Sequence, residues 1–141
     1  MSYEAALKAA GAEILDFKMV GSYQGRWAAK IVVNGQEGYV FGFYGSCSGC
    51  DSWQAECESL LPWDHKHGEE YVFSSDIMDN STECPECNEA RNKIASFGRA
   101  YLSPLYSREQ AVEIETADAE WSDDAKELYE WITGEKYEQK E

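Results

Sequence analysis

Two Cys-x-x-Cys pairs, Cys47-Ser48-Gly49-Cys50 and Cys84-Pro85-Glu86-Cys87, constrain this chain more than any other feature of it. Two thiolates separated by two residues can reach one metal ion from a tight turn, and two such turns supply the four soft ligands that tetrahedral zinc prefers. Gly49 frees the backbone of the first turn and Pro85 stiffens the second. Residues 51–83 separate the pairs, a longer span than in short zinc fingers. The expectation is therefore a structural Zn2+ held by Cys47, Cys50, Cys84 and Cys87 that staples two parts of a larger fold. Four protein ligands leave no position for water or substrate, which puts the metal in folding rather than catalysis. His65 and His67 are the alternative ligands should one replace a cysteine, although histidines in so polar a loop read first as solvated. Cys57 shares a helical stripe with Trp53, Leu60 and Leu61 and reads as a small core hydrophobe.

A chain of 141 residues, 43% of them hydrophobic, can build one core and not two ordinary ones. Residues 1–134 read as a single domain and 135–141 as a frayed tail. The opening residues lack a basic start followed by an apolar run, and no stretch approaches the length of a membrane span. A cytoplasmic location is the expectation. There the thiol pool keeps cysteines reduced, and five is an odd count, so a disulfide framework is set aside.

The formal charge of −15 is unevenly spread, with −3 over residues 1–63, −7 over 64–89, +3 over 90–106 and −8 over 107–141. Such a field repels nucleic acid and anionic membrane and favours basic protein surfaces. The plainer alternative is that acidity only keeps the chain soluble. Asp76, Asp79, Asn80 and Glu83 lack the alternation and central glycine of a calcium loop and read as solvated. The five tryptophans and nine tyrosines exceed the needs of a small core, so while most are expected inside, some are expected at the surface, where aromatics beside carboxylates suit a protein interface.

Hydrophobic periodicity predicts an α+β fold, an antiparallel sheet of three to four strands with flanking helices. A first helix runs from the Ser2 cap to Ala10, with Gly11 ending it. Strands follow at Ile14–Tyr23, Trp27–Val33 and Gln36–Tyr44, the last two joined by Asn34-Gly35, a strong type I′ hairpin signal. With Val33 opposite Gln36, Trp27, Ala29, Ile31 and Val33 share a face. Tyr39, Val40, Phe41, Phe43 and Tyr44 make the third strand apolar on both sides, so it should be central or covered twice. Asp51 with Gln54 resembles a capping box for a helix to about Leu61, and Glu70–Phe73 a short strand. Pro85 opens a helix carrying Ala90, Ile94, Phe97 and Tyr101 that Ser103-Pro104 stops. Gln110–Thr116 reads as a fourth strand, and Ser122 caps a last helix ending near Gly134.

A buried strand ending in Cys-x-x-Cys and continuing as a helix also resembles a thioredoxin-like active site. This is the alternative function, a thiol-disulfide oxidoreductase with Cys47 as nucleophile and Cys50 as resolving thiol. Against it stand the antiparallel meander, the second cysteine pair, and the lack of a convincing cis-proline loop, for which Ser103-Pro104 is a poor candidate.

The run Phe43-Tyr44-Gly45-Ser46-Cys47-Ser48-Gly49-Cys50-Asp51-Ser52-Trp53 resembles a motif of small uncharacterised bacteriophage and bacterial proteins. The resemblance transfers no residue role, but it implies a phage-encoded protein working in the host cytoplasm. The function expected is a non-enzymatic, acidic, zinc-stabilised interaction module that binds and inhibits or redirects a host protein. Its partner would be a basic surface, for example on a nucleic-acid-binding enzyme. In the sharper version, Glu113, Glu115, Asp118, Glu120, Asp123, Asp124, Glu127 and Glu130 mimic nucleic-acid charge.

Overall fold

The computed structural model describes residues 3–21, 24–45, 51–57, 60–61, 64–72 and 84–137. Among them the elements run α1 (Tyr3–Ala9), β1 (Glu13–Gly21), β2 (Gly25–Val33), β3 (Gln36–Tyr44), α2 (Ser52–Glu56), β4 (Lys66–His67), β5 (Glu70–Tyr71), α3 (Pro85–Arg99), α4 (Arg108–Ala119) and α5 (Asp123–Thr133). The fold is α+β: a three-stranded antiparallel meander in the order β1-β2-β3, a separate two-stranded hairpin, and helices on both faces of the larger sheet.

The β2–β3 turn carries the register. Asn34 and Gly35 sit at φ 51° and 78°, the pair of positive values that a type I′ turn demands, and Val33 pairs with Gln36 as expected. Side-chain alternation then sorts the strands. Trp27, Ala29, Ile31, Val40 and Tyr44 face one way, against Tyr3, Ala6 and Leu7 of α1 and Ala90 and Ile94 of α3. Ala28, Tyr39 and Phe41 face the other way, against Ala111 of α4 and Leu128 and Ile132 of α5. β3 is thus an edge strand covered twice, although its Phe43 is 72% exposed and not part of either core.

Trp27 anchors the first layer. Its ring is fully buried between Phe17 and Tyr3, with centroids 5.7 and 5.2 Å away, and Tyr101 meets it edge-on at 5.1 Å. Burying an indole removes on the order of 200 Å² from water, worth about 5 kcal/mol, which outweighs the roughly 1–3 kcal/mol cost of leaving one buried N–H unpaired. That cost is incurred, because Trp27 Nε1 has no hydrogen-bond partner among the described residues. Gly42 makes room for the ring, since a Cβ there would lie 2.3 Å from it. Gly98 does the same for the α1–α3 crossing, where a Cβ would lie 1.9 Å from the Ala6 carbonyl oxygen.

Three expectations need correction. Residues 110–116 are helical, within α4, and no fourth strand joins the sheet among the described residues. Ser107 opens that helix with a complete capping box, its hydroxyl accepting from Gln110 N and its own N–H donating to the Gln110 side chain. The helix after Asp51 is assigned over Ser52–Glu56 only; Asp51 is buried and accepts from Tyr3 Oη at 2.7 Å and from Gly45 N at 2.9 Å. Ser103-Pro104, set aside as a cis-proline, is cis. Ser122 caps α5 as expected, and Gly134 ends it at φ 72°. Among the described residues, no helix is long and apolar enough to cross a membrane.

Candidate metal centre

The β4–β5 hairpin turns at Gly68, whose φ of 65° is one that L side chains rarely adopt. His67 pairs with Glu70 and Lys66 with Tyr71, while Val72 N donates to His65 O at 2.9 Å. Successive side chains on an extended strand point to opposite faces, so His65 and His67 emerge together. Lys66 between them goes the other way and lies 4.4 Å above the Tyr71 ring.

Opposite them is the start of α3. Cys84 is its N-cap, in extended conformation with φ −67° and ψ 121°, Pro85 opens the first turn, and Cys87 is the third helical residue. A spacing of three at a helix start brings the two sulfurs to one side.

The two elements meet through these side chains. His65 Nε2 lies 3.1 Å from His67 Nε2, 3.5 Å from Cys87 Sγ and 3.7 Å from Cys84 Sγ, and His67 Nε2 lies 3.5 Å from Cys87 Sγ. All four donor atoms fall within 4.8 Å of one another, and the group could hold a metal ion. Cys87 is fully buried, and the other three are half-buried. Behind His65, the Glu86 carboxylate sits 3.1 Å from Nδ1.

Of the expected ligands, Cys84 and Cys87 are in this group; Cys47 and Cys50, which are also the thiols of the redox alternative, lie outside the described residues. Asp76, Asp79, Asn80 and Glu83 lie outside them too. His65 and His67, read chiefly as solvated, join the cysteine pair. Cys57 is core as expected, 1% exposed, and burial together with Glu56 pushes its thiol up to about 12.

The acidic residues divide. Glu113, Asp118, Glu120, Asp123 and Glu127 are exposed and Asp124 and Glu130 half-buried, but Glu115 is 0% exposed and cannot serve a surface mimic of phosphates. Both its oxygens pair with Arg26 of β2, one of them at 2.8 Å from Nη1. Burial raises the Glu115 pKa, and the guanidinium pulls it back. Trp121, at the α4–α5 corner among Asp118, Glu120, Asp123 and Asp124, is 86% exposed. Comparison with protein-family models, with curated proteins and with solved structures finds no match.

Proposed function

We propose that the protein is a non-enzymatic interaction module in which one structural zinc ion fastens the β4–β5 hairpin to α3, and whose acidic helices α4 and α5 receive a basic protein surface. The observation that carries the zinc assignment is the set of distances among the four donors. Zinc bonds of about 2.05 Å to nitrogen and about 2.3 Å to sulfur make a tetrahedron with edges of about 3.3 Å between nitrogens and about 3.55 Å between nitrogen and sulfur. Four of the six donor–donor distances, 3.1 Å for the nitrogen pair and 3.5, 3.5 and 3.7 Å for three of the mixed pairs, follow that pattern, and the other two lie within 4.8 Å. Two thiolates and two neutral imidazoles also balance a divalent ion, which lowers the cost of placing the charge beside the buried Cys87.

Four protein ligands close the coordination sphere, so the metal supports folding rather than bond-making. What is left for function is the surface. Exposed carboxylates flank Trp121, and an aromatic ring beside carboxylates suits lysine and arginine side chains. With the resemblance of residues 43–53 to small uncharacterised bacteriophage and bacterial proteins, this supports a basic host surface as the partner.

The test is metal analysis of tag-free protein beside binding to an arginine-rich peptide in rising salt. The reading expects about one zinc per chain and binding that weakens steeply with salt and with Trp121→Ala. Protein without metal would remove the zinc assignment. Peptide binding indifferent to both salt and Trp121 would remove the acidic interface.

A further inference from the structure

We infer that Glu86 is a positioning residue for the metal centre, holding His65 in the tautomer that offers Nε2 to the ion; this rests on the metal reading above. A neutral imidazole carries one N–H and one lone pair, on different nitrogens. On His65 these are assigned by the surroundings. Nε2 is the atom that faces His67, Cys84 and Cys87, whereas Nδ1 faces a Glu86 oxygen at 3.1 Å. An ionised carboxylate can only accept, so the proton sits on Nδ1 and the lone pair on Nε2 points at the donor cluster. A carboxylate behind a ligating histidine also makes the ring a better donor and limits its rotation.

The local sequence explains why Glu86 can do this. It lies between Cys84 and Cys87 in the first turn of α3, so the turn that carries both sulfurs also sets the height of the carboxylate. Its side chain is 65% exposed, so removing it opens no cavity in the core of the metal-free fold.

The experiment is zinc competition against a chromophoric chelator, with the cobalt(II) absorption spectrum and the metal-free melting temperature measured beside it. Glu86→Ala is expected to weaken zinc binding about 10- to 100-fold while the metal-free chain melts as wild type does. Glu86→Gln should retain much of the affinity, because its amide oxygen still accepts from Nδ1. Glu89→Ala removes an equal charge one turn along, where the carboxylate meets Lys93, and should shift affinity less than about threefold. An unchanged Glu86→Ala overturns the inference while leaving the metal reading standing. Equal losses in all three variants also overturn it, by assigning the effect to charge alone. Wild-type protein that binds neither zinc nor cobalt overturns both.

Discussion

Replacing Arg26 with alanine isolates Glu115, a carboxylate that the fold removes from water entirely. Glu115 is 0% exposed and Arg26 about 14%, and their contact spans α4 and β2. Breaking a buried pair from one side leaves the other charge uncompensated, a loss of about 3–5 kcal/mol, comparable to much of a small domain's total stability. The size should depend on pH, and in a definite direction. Burial raises the Glu115 pKa in the folded chain, and the Arg26 contacts are what lower it, so Arg26→Ala raises it further. A folded pKa above the unfolded value gives stability that is full below the unfolded value, about 4.3, and lost as pH rises through the folded value. Near pH 4, below the unfolded value, the variant therefore buries a neutral carboxyl, costing about 1–3 kcal/mol, and near pH 8 the loss rises toward the full amount. Urea midpoints at both pH values, each read against wild type at the same pH so that the metal centre's own pH response cancels, measure the difference. A gap of about 2 kcal/mol is expected, and Arg26→Met with Glu115→Leu together should recover most of the loss. Equal losses at the two pH values, or a loss under about 1 kcal/mol at pH 8, would refute the reasoning.

Three further outcomes follow from the packing. Chelation should free backbone amide exchange at residues 65–72 and 84–88 while leaving β2 and β3 protected, because the hairpin meets the body through His65, His67 and Val72; protection lost evenly across the sheet would show the metal holding the whole core. Gly98→Ala should cost about 2 kcal/mol or more by pushing α1 off α3, since the obstruction is Ala6 backbone and not a movable side chain; a melting curve like that of wild type would contradict the crossing. Cys57 should resist alkylation until the chain unfolds, being 1% exposed with its thiol raised to about 12, as a timed iodoacetamide assay would report.

The elements legible in the sequence are those whose signals are local. Asn34-Gly35 dictates a turn whatever surrounds it, and from that turn the pairing of Val33 with Gln36 and the shared face of Trp27, Ala29 and Ile31 follow by alternation alone. Residues 110–116 of α4 read as a strand because the helix's buried stripe is Ala111, Glu115 and Ala119, two small residues and a carboxylate. Hydrophobic periodicity does not register a glutamate whose partner is 89 residues away, while Val112, Ile114 and Thr116 imitate a strand. The Ser107-to-Gln110 capping box was the overlooked local signal. At the candidate metal centre, Cys84 and Cys87 announce themselves by spacing. His65 and His67 gain meaning from alternation into a strand only two residues long, which His65 just precedes, and from the distant helix that faces them. The clue in the sequence was the alternate spacing just before Gly68.

The outer side of β3 carries a bridge between Tyr39 and Tyr106 that bears on how such a chain avoids its own kind. The bridge exchanges two hydrogen bonds, of 2.7 and 2.9 Å. On the far side of the sheet, β1 breaks register between Ile14 and Asp16 and turns Leu15 outward. A strand from another molecule seeking to extend the sheet would find one border interrupted at Tyr39 and the other out of step at Leu15. Sheet-to-sheet templating, the usual route from an open border to fibrils, is therefore hindered at one point on each side by the backbone itself, independently of the repulsion between like-charged copies.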